Sequence, residues 1–350
     1  MKNKTNFVLE NTKINSILII RLSSIGDIVL TTHFIRNLRI KYPDANIDFI
    51  TFENFNEILK FNPRLNRLFS VNKSELKSNK LNVKSSDSIV FDPNSYDLIV
   101  DLQKNKYSKN IIGKSSAKIF RINKHRLHKL SLVYLKKSLI NNYSIPLNYS
   151  IPELKIGDDG LGLEFWLEKD ELNILSKIEK HDKLNISFAP GAAHKTKQLP
   201  VSTIIEVMMK VKEKYNCTIS LLGGKSEIEL GKQIENQLNF NIQNFCGNLT
   251  LQETASKINT SDLLITNDTG LMHIAAARQV PIITFFGSSV RELGFEPFRV
   301  KNKIIEKDLW CRPCSHIGRS FCPLGHFRCM KSISVVEILD SINEILEIQD

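Results

Sequence analysis

A short apolar run, a tight turn and an Ala-rich stretch occupy residues 263–277 and restrict the possible folds more than any other feature. The apolar run 263–266 stops at Asn-Asp-Thr-Gly, and a segment with helical spacing follows. This pattern is typical of a strand, a turn and the N-terminus of a helix. Free backbone N–H groups and the positive end of the helix dipole meet at such a turn, which suits a phosphate or pyrophosphate. The alternative is an ordinary N-capped helix, with Asp268 or Thr269 as the cap.

The same alternation runs through both halves of the chain and predicts an α/β fold with two doubly wound domains. A chain of 350 residues exceeds a usual single core. The Gly-Asp-Asp-Gly stretch at 157–160 is a plausible linker, so we expect domains at 1–160 and 161–350. The last helix, 333–348, is a candidate to pack back on the first domain. Strands are predicted at 17–22, 47–52, 96–102, 184–188, 218–222, 263–266 and 282–286; helices at 28–41, 127–140, 201–214, 228–238 and 251–258; and a surface loop at 72–88.

Positive charge is concentrated in residues 102–152, which we call the basic segment. The protein has 48 basic and 37 acidic residues, and this segment contains no acid. It therefore carries the whole net charge of +11, and we expect an anionic partner: a phosphorylated or carboxylated substrate, or an anionic membrane surface. A solvated basic surface is the alternative. Nucleic acid is not expected, because no nucleic-acid module accompanies the segment. Its eleven cations are Lys104, Lys106, Lys109, Lys114, Lys118, Arg121, Lys124, Arg126, Lys129, Lys136 and Lys137.

Membrane and cysteine patterns limit the cellular setting. No run of 18 apolar residues occurs, and the apolar run 17–20 is too short for a signal peptide, so we expect a soluble cytoplasmic protein. Four of the six cysteines, Cys311, Cys314, Cys322 and Cys329, lie close together, unlike the disulfide framework of a secreted protein. A structural zinc site, a redox or disulfide role, and reduced packed thiols all remain open.

Three strand ends carry candidate chemical groups. The first predicted strand leads to Asp27 in the first turn of the next helix, where a carboxylate is either a helix cap or a general base on an acceptor hydroxyl. Residues 188–200 combine small residues with Lys195 and Lys197. The small residues permit a ligand to approach the backbone closely, and the lysines neutralise phosphate charge. Gly223-Gly224 precedes Glu227, which is either an acceptor for a ribose diol or a solvent-exposed acid. Gly-x-Gly-x-x-Gly and P-loop patterns are missing, so any nucleotide is bound in another way.

Six segments in this order resemble the ADP-heptose:lipopolysaccharide heptosyltransferases of glycosyltransferase family 9. They span nearly the whole chain. The resemblance implies two Rossmann-like domains facing a central cleft (the GT-B arrangement) and inverting transfer from a nucleotide sugar, without a metal or other cofactor. The segments are RLSSIGDIVLTT, YDLIVDLQ, APGAAHKTKQLP, LLGGKSE, LLITNDTGLMHIAAA and CRPCSHIGRSFCPLGHFRCM.

The resemblance also implies roles for individual residues. Asp27 matches the general base, and Lys197 matches the lysine that stabilises the departing diphosphate. His273 is equally compatible with a buried structural histidine. His125 and His128 are interpreted as solvated positions. The other implied roles are donor binding by Glu227 (or Glu229), Asp268, Thr269, Gly270, Leu271 and His273, and acceptor binding by Ser24, Gly26, Lys124 and Arg126.

The resulting hypothesis is transfer of a heptose from ADP-heptose to the lipopolysaccharide inner core. The partners are then an anionic glycolipid and the cytoplasmic face of the inner membrane. A transferase that uses another nucleotide sugar, and a nucleotide-sugar-binding protein or epimerase, are the alternatives. One departure puts loop packing and donor preference in doubt: the family loop reads Lys-Arg-Trp-Pro, whereas this chain has Lys-Gln-Leu-Pro at 197–200.

Overall fold

The chain folds into two compact units in a computed structural model that describes residues 13–78, 81–85, 89–170 and 183–348. The first unit comprises residues 1–124 and 146–161, and the second comprises 125–145 and 162–350. The division between residues 161 and 162 lies one residue after the predicted boundary between residues 160 and 161. Residues 125–145, however, were expected in the first domain and belong to the second unit.

Local contacts explain the placement of residues 125–145. Leu132 packs in a small apolar cluster with Val290 and Leu293 of the second unit. His128 Nε2 lies 3.0 Å from the backbone oxygen of Glu292, and its Nδ1 accepts a hydrogen bond from the Leu139 N–H. His128 is therefore buried, which corrects the interpretation of this histidine as solvated.

Six strands form the sheet of the first unit, and all neighbouring pairs but one are parallel. Residues of the central strands are buried on both faces, as expected for a parallel sheet covered on both sides. The strands are β1 (Ser16–Ile20), β2 (Asn46–Phe52), β3 (Arg67–Val71), β4 (Val83–Ser85), β5 (Leu98–Asp101) and β6 (Lys118–Arg121). Their order is β4-β3-β2-β1-β5-β6, with β3 and β4 antiparallel.

The sheet of the second unit also has six strands, and all of its paired strands are parallel. Its order is β12-β11-β10-β7-β8-β9, so the prediction of a second doubly wound α/β unit is confirmed. The strands are β7 (Leu184–Ala189), β8 (Cys217–Leu221), β9 (Gln243–Asn244), β10 (Leu263–Asn267), β11 (Ile282–Phe286) and β12 (Asn302–Glu306).

Each sheet has a switch point, where successive connections run to opposite sides of the first strand. In the first unit it lies between β1 and β5, and in the second between β7 and β10. Open α/β sheets bind ligands beyond the carboxyl ends of the two strands at this point. The sequence segments that follow β1, β7 and β10 are the ones that carry the candidate chemical groups.

The helices cover these sheets, and none in the described residues is long and apolar enough to cross a membrane. They are α1 (Ile25–Leu30), α2 (Thr32–Lys41), α3 (Lys73–Lys77), α4 (Lys106–Ile112), α5 (Arg126–Leu130), α6 (Ile145–Asn148), α7 (Val201–Lys214), α8 (Ile228–Glu235), α9 (Leu251–Asn259), α10 (Gly270–Ala277), α11 (Arg328–Lys331) and α12 (Val335–Leu346).

Three predicted elements differ from the structure. The predicted helix 28–41 is split at Thr31, because the hydroxyls of Thr31 and Thr32 donate to the carbonyls of Ile28 and Val29 at 2.6 and 2.7 Å. The predicted helix 127–140 is α5 followed by a π-helical turn that ends at Lys136, whose φ is 55°. The predicted loop 72–88 contains α3 and β4, while residues 79–80 and 86–88 lie outside the described residues.

The last helix packs within the second unit. Ile338, Ile342 and Ile345 of α12 are buried in the same apolar core as Met208 and Val211 of α7. These positions follow the i, i+4, i+7 spacing of one helix face. The buried face of this helix therefore belongs to the core of the second unit, and its expected packing on the first domain stays a prediction.

Replacing Ile338 by Ala tests this packing. The side chain is fully buried, so its truncation leaves a cavity and lowers the free energy of unfolding by about 2–5 kcal/mol. Val336 on the same helix is 66% exposed, and Val336→Ala is the matched control, with an effect of about 0.5 kcal/mol or less. Thermal melting of both variants measures the difference. Equal melting temperatures would contradict the buried face.

Candidate active site

Asn267, the last residue of β10, holds the loop that follows β7. Its Nδ2 donates to the carbonyls of Pro190 and Gly191 at 2.7 and 3.2 Å, and its Oδ1 accepts from the Leu199 N–H at 3.0 Å. The side chain is 1% exposed, so these bonds replace water at the polar atoms of a buried amide. Both ends of residues 190–199, which we call the donor loop, are thereby fixed at the switch point of the second unit.

Lys197 of the donor loop is paired with Asp268. Lys197 Nζ lies 2.6 Å from Asp268 Oδ2, and Ser289 Oγ donates to the same oxygen at 2.7 Å. Asp268 immediately precedes Thr269, the N-cap residue of α10. The ammonium group is therefore fixed near the positive end of a helix dipole, an arrangement that favours an anion.

The first turn of α10 provides the backbone donors of this site. Thr269, Gly270 and Leu271 are partly exposed, whereas Met272 and the rest of the helix are buried. The N–H groups of a first helical turn have no partner within their helix, so this rim can donate to an anion. His273 is 2% exposed, and its ring lies 6.5 Å from that of Phe295. It is therefore a buried histidine, one of the two interpretations that the sequence allowed.

Glu227 lies against the start of the donor loop. A Cβ atom at Gly191 would be 2.4 Å from Glu227 Cγ, so the contact requires glycine there. Glu227 Oε2 accepts from the Gly224 N–H at 2.8 Å. Glu229, by contrast, has a side chain that is 86% exposed and paired with Lys232 at 3.1 Å. The geometry favours Glu227 over Glu229 as the acid of this site.

The residues that depart from the family loop have structural roles. Gln198 Nε2 donates to the carbonyl of Ala192 at 2.9 Å and so closes the donor loop on itself. Leu199 is 3% exposed and packs in the core of the second unit. Gln198 and Leu199, which replace the family's Arg and Trp, therefore leave the loop packed and Lys197 in place.

Three supporting residues were not found by sequence reasoning: Asn267, Ser289 and Arg312. Arg312 is 8% exposed, and its guanidinium donates to the carbonyls of Phe286, Gly287 and Ser289 at 2.9, 2.6 and 2.8 Å. It thus fixes the segment from which Ser289 reaches Asp268. Ser289 could have been found, because it follows β11 and so lies beyond the carboxyl end of a strand, where open α/β sheets bind ligands. Nothing local in the sequence signals the long-range contacts of Arg312.

Asp27 lies at the switch point of the first unit. Arg21 Nη2 lies 2.6 Å from Asp27 Oδ1, and the N–H and hydroxyl of Ser24 donate to Oδ2 at 3.1 and 3.0 Å. Arg21 Nη1 also donates to the carbonyl of Leu102, just beyond β5, at 2.7 Å. Asp27 is therefore both a capping residue of α1 and a partly exposed carboxylate, with Ser24 and the buried Gly26 beside it.

The surroundings keep this carboxylate ionised. Burial by itself raises the pKa of Asp27, but the positive charge of Arg21 and the hydrogen bonds from Ser24 outweigh it and hold the pKa below its usual value. At neutral pH the group can accept a proton or a hydrogen bond.

The expected acceptor residues Lys124 and Arg126 do not belong to one unit. Lys124 ends the first part of the first unit, and Arg126 begins α5 in the second. Several other cations of the basic segment bind backbone or acid groups, including Lys104 with Ile122 and Arg121 with Asp101. The basic segment is therefore divided between the two units, whereas all of it was expected in the first domain.

The six cysteines are free thiols. Cys311 Sγ lies 3.8 Å from His326 Nε2, and burial raises the pKa of Cys314, and that of Cys329 to about 11. A raised pKa keeps the free thiol protonated at neutral pH.

Within the described ranges, the group whose three possible ligand atoms lie within 4.8 Å of one another is His33, Asp158 and Asp159. Arg36 Nη2 lies 2.9 Å from Asp159 Oδ1, so a guanidinium already neutralises that carboxylate. The Asn37 side chain also accepts from the Asp159 N–H at 3.1 Å. We interpret this cluster as the anchor of the predicted linker 157–160 on α2.

Replacing Arg21 by Gln tests the charge balance at Asp27. Without the cation the effect of burial dominates, so the pKa of Asp27 rises, as measured by NMR titration of labelled aspartate. Because the pKa of Asp27 is lower in the folded state, its ionised carboxylate stabilises the fold. This stabilisation is fully present above pH 3.8, the usual pKa, and is lost as the pH falls through the lower pKa of the folded state. In Arg21→Gln this stabilisation is absent, and the ionised carboxylate lowers the free energy of unfolding as the pH rises above 3.8. Lys60→Gln, at an exposed position of the same unit, is the control; an unchanged Asp27 pKa in Arg21→Gln would contradict the role of Arg21.

Comparison with known proteins agrees with this architecture. Lipooligosaccharide heptosyltransferase 2 of Campylobacter jejuni is 29% identical over 173 residues, which cover 48% of this chain and 53% of that protein. The aligned region thus spans about half the length of that relative. Lipopolysaccharide heptosyltransferase 1 of Campylobacter coli is 24% identical over 94% of this chain and 98% of its own length.

The fold has solved counterparts. The structure of the Escherichia coli ADP-heptose lipopolysaccharide heptosyltransferase II superposes with a TM-score of 0.67 and 19% identity, covering 95% of this chain and 98% of that one. The sequence model of glycosyltransferase family 9 (heptosyltransferase) matches residues 94–324, a range that includes the donor loop and α10 but not Asp27. The chain therefore belongs to glycosyltransferase family 9.

Proposed function

We propose that the protein transfers a heptose from ADP-heptose to the inner core of lipopolysaccharide. The observation that carries this proposal is the pairing of Lys197 with Asp268 at the N-terminus of α10, on the switch point of the second unit. A cation and free backbone donors at this place suit a diphosphate. Relatives named heptosyltransferases support the choice of sugar.

The second unit is proposed to bind the donor. Negative charge grows on the diphosphate as its bond to the sugar breaks, and Lys197 and the N–H groups of residues 269–271 stabilise it without a metal. Asp268 and Ser289 hold the lysine in position. Glu227 is proposed to accept hydrogen bonds from the ribose hydroxyls of the nucleotide.

Asp27 is proposed as the general base. It removes the proton from the acceptor hydroxyl while that oxygen forms a bond to the anomeric carbon and the diphosphate leaves from the opposite side. One displacement of this kind inverts the anomeric configuration. Because its pKa is held low, Asp27 is ionised at neutral pH but weakly basic, so proton transfer accompanies bond formation rather than preceding it.

Replacing Asp27 by Asn tests the base. The amide cannot accept the proton, so kcat falls by about 10²–10⁴-fold, while the affinity for ADP measured by calorimetry changes little. Asp44→Asn, at an exposed position of the same unit, is the control with unchanged kcat. Retained transfer in Asp27→Asn would rule out this role. Transfer by the wild-type protein is expected to survive a chelator, consistent with a metal-independent step.

Nucleotide binding tests the donor site. Calorimetry is expected to show binding of ADP and weaker binding of UDP and GDP. Lys197→Met removes a charge-assisted contact worth about 1.5–3 kcal/mol, so it weakens ADP binding by about tenfold or more. Lys210→Met on α7 of the same unit is the control, because Lys210 is exposed and has no role in the proposed site.

The same experiment separates the alternatives. A preference for UDP or GDP would favour a family 9 transferase that uses another nucleotide sugar. Equal ADP affinity in Lys197→Met and Lys210→Met would remove Lys197 from the donor site.

The proposed glycolipid acceptor also indicates where in the cell the enzyme works. Lipopolysaccharide core is attached to a lipid, so we propose that the protein works as a peripheral enzyme at the cytoplasmic face of the inner membrane. Its partners are then the nucleotide sugar and an anionic glycolipid.

A further inference from the structure

Exposed apolar side chains are concentrated in two segments of the second unit. Among the described residues, 16 large hydrophobic side chains are exposed, and nine of them lie in these segments. The first segment contributes Leu127, Leu130, Tyr134, Leu135 and Leu139. The second contributes Trp310, Ile317, Phe321 and Leu324. Scattered exposed hydrophobic residues are normal, whereas a concentration of this kind marks an interaction surface.

The two segments adjoin. Lys136 Nζ, just after the π-helical turn, donates to the carbonyl of Pro313 at 2.8 Å and lies 3.5 Å from that of Cys311. The turn after α5 is therefore bonded to the segment that begins at Trp310. We call residues 126–139 and 310–328 together the docking surface.

The two segments of the docking surface are basic in sequence. Residues 125–145 and 309–332 contain no Asp or Glu. Apolar side chains alternate with cations in both, so the surface can bury hydrocarbon and neutralise negative charge at once. Its exposed cations are Arg126, Lys136, Lys137, Arg319 and Arg328, with Lys331 at the edge.

The docking surface is also bonded to the donor loop. The Arg319 N–H donates to Thr196 Oγ1 at 2.8 Å, and the Thr196 N–H donates to the Arg319 carbonyl at 3.1 Å. Gly318, with a φ of 110°, permits this approach, since a Cβ there would lie 2.6 Å from His194 Cβ. Thr196 precedes Lys197, so the surface and the proposed diphosphate site share one loop.

We propose that the docking surface binds the face of an anionic lipid bilayer, with its Leu, Trp and Phe side chains in the headgroup boundary. Apolar side chains with Lys and Arg between them bind such interfaces by hydrocarbon burial and by attraction to anionic lipid. Exposed Trp and Tyr are typical of this depth. A second copy of the chain fits less well, because the cations of two such surfaces repel each other.

This inference rests on the proposed function, since a lipid-linked acceptor lies in the bilayer. The proposed contact differs from the one expected from the basic segment alone. The membrane contact involves the second unit and depends on apolar side chains as much as on the charges of the basic segment.

Vesicle co-sedimentation of the full chain tests the proposal. The wild type is expected to bind vesicles of phosphatidylcholine with phosphatidylglycerol and to bind pure phosphatidylcholine weakly. Tyr134→Ser/Leu135→Ser and Lys137→Glu/Arg328→Glu each lower the partition constant by about tenfold or more. Val336→Ser and Lys169→Glu/Lys257→Glu change exposed side chains elsewhere on the second unit and are the matched controls with unchanged binding.

Two outcomes overturn the proposal: a wild type that does not bind anionic vesicles, or surface variants that bind as the wild type does. Analytical ultracentrifugation adds a third, because an oligomer that these variants dissociate, without vesicle binding, would make the surface a self-interface. Transfer to a water-soluble, delipidated acceptor is expected to be equal in wild type and variants. If the wild type fails in that assay, the proposed function fails, and vesicle binding is still judged separately.

Discussion

The buried amide of Asn267 is the contact on which the candidate donor site depends. It is the last residue of β10, and its three hydrogen bonds fix the start and end of the donor loop across the switch point. Without it, the carbonyls of Pro190 and Gly191 would lose this donor. The parallel pairing of β7 with β10 brings these groups to one edge of the sheet.

The two units use the same device with opposite charges. In the first, Arg21 fixes the carboxylate of Asp27 beyond β1; in the second, Asp268 fixes the ammonium group of Lys197 beyond β7. Each charged group is therefore held in position by an ion pair. A carboxylate suits the proton of an acceptor and an ammonium group suits a diphosphate, which is the division of roles that the proposed transfer needs.

The sequence predicted the buried strands well, because apolar runs such as 263–266 and 282–286 are strong local signals. It missed β3, β4, β6, β9 and β12, whose exposed or polar residues interrupt the apolar pattern. The motif residues were found because they follow predicted strands. Arg312 and the placement of residues 125–145 were not found, since both depend on contacts between residues far apart in the sequence.

Product analysis tests the central claim most directly. The purified protein is incubated with an ADP-heptose, UDP-glucose and GDP-mannose panel and lipopolysaccharide inner-core acceptor, and the acceptor is examined by mass spectrometry and NMR. The account predicts addition of one heptose from ADP-heptose, with an anomeric configuration opposite to that of the donor. An acceptor that gains a different sugar from UDP or GDP donors, or a heptose with retained configuration, would contradict it.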